Sequence, residues 1–327
     1  MRNIKKIVPR IFLLIAFVVL LEALVRFLYE PYDRYSIYAN REYEQAMGSL
    51  DTIYLGTSQA YYGFDPALFD AELGTNSFNM GTGSQSMFVA WQLLQEAVEN
   101  NPIENVFLGI SFSSLMKEET DDSVLAGYDR MVTLKGKLRF ILSDQNGNRR
   151  INELFYSTRV ENYLNIKRVQ KNIKKKLSAD YAVMKPTASD NEYSCRGYRT
   201  TDKVFDGERK NEENTYYHKW NEEELNEENV SYFKKILELC QEKGISVSLV
   251  ILPVTGVFLE DAGDVEGMHT YFAEMAETYD AALYDYINIE NREELFPDTC
   301  FRDSYHMNTT GAQVFGNLLI SELKKEQ

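Results

Sequence analysis

Ser58, Asp303 and His306 are the residues whose types and spacing could do chemistry in this 327-residue chain. A serine hydroxyl attacks a carbonyl only when a base takes its proton, and an imidazole acts as that base best when a carboxylate holds its other nitrogen. Asp303 and His306 stand three apart in Arg302-Asp303-Ser304-Tyr305-His306-Met307. In a loop, that spacing lets the carboxylate bond Nδ1 and leaves Nε2 free. A lone Asp-x-x-His recurs by chance, so its meaning depends on whether the chain brings a serine to the same place. The other two histidines read differently: His218, beside Lys219 and Trp220, as a surface residue, and His269, on a helix next to Met268, as structural. Cys195, Cys240 and Cys300 form no CxxC pattern and have no histidine at metal spacing, so no metal or other cofactor is expected. One pair of them could bridge outside a cell. Cys240 falls on the apolar side of a helical pattern as a core thiol, and nothing strand-like delivers Cys300 as a nucleophile. No pair of carboxylates is placed for glycoside hydrolysis.

What positions Ser58 is the stretch Asp51–Ala60, Asp-Thr-Ile-Tyr-Leu-Gly-Thr-Ser-Gln-Ala. Its apolar, β-branched run ends in Gly56, which permits a tight turn, and Ser58 stands where a helix would begin. The serine is then either the N-cap of that helix or a hydroxyl presented at the carboxyl edge of a sheet, the usual ligand crevice of an open α/β fold. Further strands are expected at Ser77–Met80, Asn105–Ile110, Ile245–Leu252 and Ala281–Tyr286. Helices are expected at Met87–Glu99, Ser231–Lys243, Glu266–Tyr279 and Thr309–Lys325. This alternation predicts a three-layer α/β/α sandwich on a mostly parallel, flavodoxin-like five-stranded sheet. His306 lies between the last strand and the closing helix, at the same sheet edge as Ser58.

The ends and the middle of the chain carry other signals. Net charge is −15, and because residues 1–29 hold five basic side chains and one acid, the remainder carries −19, which excludes nucleic acid as a partner. Ile11–Leu21 is unbroken apolar sequence behind a basic flank, and Ile7–Tyr29 as a helix spans about 34 Å, enough to cross a bilayer. Glu22 and Arg26, four apart near its outer end, are expected to pair with each other. The positive-inside rule keeps the basic tip in the cytoplasm and places the rest outside, a single-pass anchor in contact with membrane lipid through residues 7–29. A cleaved signal peptide is the competing reading. The expected domains are residues 1–29 as tip and anchor, 30–49 as linker, 50–116 with 225–327 as the α/β domain, and 117–224 as a large helical insertion or lid. From Arg130 to Lys176 the insertion has thirteen basic residues against three acids. That cluster is either a solvated helical face or a surface for anionic headgroups or an anionic polymer.

These residues together resemble the SGNH/GDSL hydrolase superfamily. The resemblance rests on Gly56-Thr57-Ser58, on the glycine loop Asn79-Met80-Gly81 after the second strand, and on Asp303-Ser304-Tyr305-His306. The anchor, Leu55-Gly56-Thr57-Ser58 with Gly63-Phe64-Asp65-Pro66 behind it, and the long insertion are similar to the envelope acyl-transfer branch that includes DltD-like proteins. The resemblance implies Ser58 as nucleophile, His306 as general base, Asp303 as its partner, and the backbone N–H groups of Ser58 and Gly81 as an oxyanion hole. The sequence departs from the family at Thr57, where an aspartate is usual, and after the third strand, where the family asparagine is missing. Ser111 or Asn79 is the substitute candidate there, Asn79 reading equally as an Asx turn.

The resulting expectation is a membrane-anchored extracytoplasmic serine esterase or O-acyltransferase. Its expected substrate is an envelope glycopolymer or an acylated carrier, with a membrane-bound acyl-transfer protein as a further partner. A non-catalytic envelope binding or assembly protein that keeps the fold is the alternative from another class. A secreted lipase-like esterase is the third.

Overall fold

The structure, a computed structural model, describes residues 4–185, 192–207 and 219–326. Its centre is five strands: β1 (Thr52–Gly56), β2 (Ser77–Asn79), β3 (Asn105–Ile110), β4 (Ser246–Ile251) and β5 (Ala282–Asp285). They pair in parallel in the order β2-β1-β3-β4-β5. All of β1 and β2, and nearly all of β3 and β4, is buried, as continuous apolar runs covered on both faces must be. One helical layer holds Met87–Asn100, Glu227–Lys243 and Val265–Tyr279, and the opposite one holds Ser58–Gly63, Pro66–Leu73 and Thr309–Glu326. The three-layer, flavodoxin-like sandwich expected from the alternation is what forms, with strand ends within one or two residues of the reading. The core is aromatic: Tyr54 of β1 stacks on Phe64 with centroids 4.8 Å apart, and Phe315 meets Phe64 edge-on at 5.4 Å.

The order in which strands are added reverses at β1 and β3, with β2 on one side and the later strands on the other, and in such folds the crevice for ligands opens there, beyond the carboxyl ends of the strands. Both neighbours end in close backbone contact. Gly56 has φ +132°, and a Cβ on it would stand 2.7 Å from the Gly109 carbonyl oxygen and 3.0 Å from Ala60 Cβ. The helix that starts at Ser58 can therefore lie directly on β3 only because residue 56 has no side chain. Gly56→Ala combines backbone strain with overpacking and is expected to cost about 2–4 kcal/mol. It should appear as a lowered denaturation midpoint of the intact chain, and an unchanged midpoint would mean that the turn relaxes freely.

By compactness the chain divides into Met1–Tyr35 with Phe140–Pro186, and Ser36–Arg139 with Thr187–Gln327. The second unit takes in more than the expected α/β domain. Residues 30–49, read as a linker, contain the helix Tyr35–Ala46, which buries Tyr38, Ala39 and Tyr43. Asn40 Nδ2 donates to the Asp129 carbonyl at 2.6 Å, and Gly48 N donates to Asn101 Oδ1 at 2.7 Å. Parts of the expected insertion join it too. Arg130 is buried with its guanidinium 5.7 Å from the Phe78 ring, and the hairpin Glu192–Tyr193/Arg199–Thr200 has a turn whose Arg196 carbonyl accepts from Asn79 N at 2.9 Å, covering the β2 edge.

In the first unit, the helix Ile4–Tyr29 includes the 23-residue span Ile7–Tyr29, whose most apolar 18 residues have mean hydropathy 2.7, long and apolar enough to cross a membrane. Glu22 and Arg26 do not pair. Glu22 accepts from Ser157 N at 2.9 Å and Ser157 Oγ at 2.5 Å, while Arg26 turns the other way along the helix to Glu30 at 3.1 Å. Each had two partners in reach, and tertiary contact decided between them.

Candidate active site

The loop from Cys300 to Asn308 is held at many points. Phe301 bridges Met307, Arg302 N donates to the His306 carbonyl at 2.9 Å, and Asn308 N donates to the Cys300 carbonyl at 3.0 Å. Its middle is fixed by neighbours at the sheet edge: Thr255 Oγ1, after β4, donates to the Ser304 carbonyl at 2.8 Å, and Gln59 Nε2 donates to the Tyr305 carbonyl at 2.8 Å. The Gln59 bond ties the loop to the helix that carries Ser58.

The three residues singled out by type and spacing meet there. His306 Nε2 lies 2.6 Å from Ser58 Oγ, and His306 Nδ1 lies 2.9 and 3.0 Å from the two Asp303 carboxylate oxygens. Asp303 Oδ1 also accepts from the backbone N–H groups of His306 at 2.9 Å and Tyr305 at 3.2 Å. Burial pushes the Asp303 carboxyl up, but the bonds from the His306 ring and amide and from the Tyr305 amide outweigh it and hold the group below its ordinary value. An ionised carboxylate only accepts, so the imidazole carries its proton on Nδ1 and offers the lone pair of Nε2 to the Ser58 hydroxyl. Arg302 adds a positive charge, its Nε 3.4 Å from Asp303 Oδ2.

Aromatic rings bracket the imidazole. Tyr305 lies with its centroid 4.1 Å from that of His306, and Tyr62, on the Ser58 helix, approaches edge-on at 5.5 Å. The Tyr62 ring is in turn covered by the guanidinium groups of Arg302 at 5.0 Å and Arg199 at 5.7 Å. These rings limit the motion of a base that must reach Ser58 with one nitrogen while holding Asp303 with the other.

The residues expected to bind an oxyanion fare unevenly. Ser58 N–H opens a helix, where no intrahelical acceptor exists for it. Gly81 N–H, expected as the second donor, is taken by Asn79 Oδ1 at 3.0 Å. Asn79, one of the two substitutes, is fully buried and spends its amide on the carbonyls of Ala60 and Phe64, each at 2.9 Å. It braces the end of the Ser58 helix, and its Oδ1 makes the Asx-type bond that was the other reading. Ser111, the other substitute, closes a hydroxyl turn: its N–H donates to Ser114 Oγ at 2.9 Å, and its own Oγ lies 2.9 Å from Ser114 Oγ. Only Ser58 among the expected donors keeps an N–H outside these internal bonds.

One positioning residue was missed in the sequence. Gln85 is buried behind the glycine loop, accepts from Gly56 N with Oε1 at 2.8 Å, and donates through Nε2 to the Met80 carbonyl at 2.9 Å. It ties the end of β1 to the loop after β2, two residues before the serine. A long amide inside a glycine-rich loop was the available clue. Beside Thr57 lies a shallow polar depression lined by Ser84, Gln85, Ser86, Ser113, Ser114, Lys117, Glu118 and Glu119, with no large apolar side chain in its walls.

The remaining candidates lie elsewhere. His269 Nδ1 is 2.7 Å from Asp285 Oδ2, at the end of β5, and His218 is outside the described residues. Cys195, Cys240 and Cys300 are free thiols; burial pushes Cys240 up to about 12 and raises Cys300 as well. Among the described residues no group of three or more side chains is arranged to hold a metal ion.

No protein-family model and no curated protein sequence matches this chain. The solved structures it is similar to include two Bacteroides proteins. One is a Bacteroides fragilis protein assigned as an acylhydrolase, with 14% identity, TM-score 0.39, and coverage of 88% of this chain and 97% of that one. The other is a GDSL-like lipase from Bacteroides thetaiotaomicron, with 10% identity, TM-score 0.41, and coverage of 90% of this chain and 100% of that one. At such scores the likeness assigns no activity.

Proposed function

We propose that this chain is a membrane-anchored serine esterase or O-acyltransferase of the SGNH/GDSL type, which works outside the cytoplasm through an acyl-Ser58 intermediate. The observation that carries the reading is the unbroken line Asp303–His306–Ser58, with every link at hydrogen-bond distance. His306 Nε2 takes the Ser58 proton as Oγ attacks the ester carbonyl, Asp303 stabilises the imidazolium, and the proton passes to the departing alcohol. Water or a second hydroxyl, deprotonated by the same nitrogen, then releases the acyl group. Ser58 N–H is the proposed first donor to the oxyanion.

The polar depression beside Thr57, lined by hydroxyls and by Lys117, Glu118 and Glu119 with no large apolar side chain, supports a polar acceptor and a short acyl group, such as acetyl or D-alanyl, over a long acyl chain. With the apolar N-terminal helix, this favours an envelope glycopolymer as acceptor, in the manner of the DltD-like branch, and a membrane-bound carrier or protein as donor. One observation favours a second reading, a non-catalytic binding module: the Gly81 amide, Asn79 and Ser111 are all committed internally. Full-length chain in detergent should hydrolyse 4-nitrophenyl acetate, turn over the dodecanoyl ester at least about tenfold more slowly, and acylate glycerol or a soluble glycan when these are added. Acetate release without acylated acceptor would restrict the chain to hydrolysis. Folded chain with no turnover of either ester would leave the binding module standing.

A further inference from the structure

The first unit holds a surface that the proposed chemistry does not use. The helix Ile166–Lys176 is fastened to the outer end of the apolar helix: Asn172 Nδ2 donates to the Leu28 carbonyl at 2.8 Å, and Lys176 Nζ donates to the carbonyls of Phe27 and Glu30 at 2.8 and 2.7 Å. Lys176 thus neutralises the carbonyls that a helix end leaves unpaired. Eight residues further down, Ser157 holds Glu22. Together these segments form a collar around the last two turns of the apolar helix.

The depth of that collar follows from lengths. The apolar helix is free of these bonds only over Ile7–Leu21, about 22 Å at 1.5 Å per residue, against about 30 Å of hydrocarbon core. The collar's lower edge therefore enters the outer leaflet by about 8 Å, within the 5–10 Å to which interfacial helices sink. Its surface suits that depth. Leu164 and Leu177, at either end of Ile166–Lys176, are 86% and 72% exposed. Tyr29 and Tyr163 pack edge-on at 5.0 Å where a membrane protein carries its aromatic belt. Between the exposed leucines, Lys167, Arg168, Lys171 and Lys174 face outward on a chain that is otherwise acidic.

We propose that this collar is a binding surface for the headgroups of anionic lipids in the outer leaflet, with its exposed leucines in the acyl boundary and its basic residues at the phosphates. The proposal rests on the membrane-anchored reading of the N-terminal helix and is independent of the Ser58 chemistry. Each basic side chain near an anionic surface is worth roughly fivefold in association.

The test is full-length chain reconstituted in phosphatidylcholine bilayers, with spin-labelled phosphatidylglycerol or phosphatidylcholine as reporter and vesicle flotation as the check on anchoring. The chain should immobilise phosphatidylglycerol about fivefold or more over phosphatidylcholine at low salt. That preference should fall toward one in 0.5 M NaCl by charge screening, and in the Lys167→Gln, Arg168→Gln, Lys171→Gln, Lys174→Gln variant, whose changes lie on exposed positions. Chain that floats with the vesicles but shows no preference, or a variant that keeps it, overturns the lipid site while leaving the anchor intact. Chain that fails to float overturns the anchored reading itself. A soluble poly(glycerol phosphate) that binds the collar in neutral bilayers, with no lipid preference, makes it a polymer site and likewise overturns the proposal.

Discussion

Ser58→Ala should lower ester turnover by about four to six orders of magnitude while leaving the fold in place. The loss is large because the hydroxyl is the only atom in the site proposed to form a covalent bond to the acyl group, and the remaining donors can hold but not replace it. The structural cost is small. Ser58 is half-buried at the start of a short helix, its side chain bonds His306, and helix Ser58–Gly63 is held instead by Asn79, Gln59 and the glycine contact at residue 56. Removing one such hydrogen bond costs about 1 kcal/mol. Equal turnover by the alanine variant, measured on protein with an unshifted melting transition, would remove Ser58 from the chemistry.

Asp303→Asn should reduce turnover by about 10⁴-fold. Asp303 does what an amide cannot: it presents two accepting oxygens to imidazole Nδ1 while Oδ1 also accepts from two backbone N–H groups. An asparagine that keeps its oxygen on the amides turns an NH₂ toward the ring, which favours the tautomer with the proton on Nε2, and that nitrogen can no longer take a proton from Ser58. The variant should also show a stability difference with a defined sign. The folded carboxyl titrates below its ordinary value, so its contribution is fully present above about pH 4. It is lost as pH falls through the lower folded value. The gap in stability between the native chain and the variant should therefore be wide at neutral pH and close in acid. A loss of less than about tenfold would show that His306 is oriented by something other than Asp303.

The parts of this arrangement that were legible in the sequence are those set by local pattern. A β-branched run ending at Gly56 specifies a strand and a turn, and the loop between the last strand and the closing helix can only return to the sheet edge where Ser58 emerges. The parts that were not legible are those in which a polar side chain has several partners in reach. Asn79 was open between a site donor and a turn, and what decided it was the proximity of two carbonyls at the end of the Ser58 helix, which only the packed chain brings near. Gln85, the ring of Tyr62 and the guanidinium of Arg199 join the site from segments without any pattern that points there. The environment of single basic residues was illegible for a similar reason: a run of them reads as one surface, yet Arg130 is buried with its guanidinium against the Phe78 ring.

The central claim is that Ser58 is activated by His306, and covalent labelling tests it most directly. Full-length chain treated with a fluorophosphonate and mapped by peptide mass spectrometry should carry the added mass on Ser58, with labelling much slowed in His306→Ala. Folded chain that takes up no label, or that takes it up on another residue with Ser58 unmodified, would contradict the account.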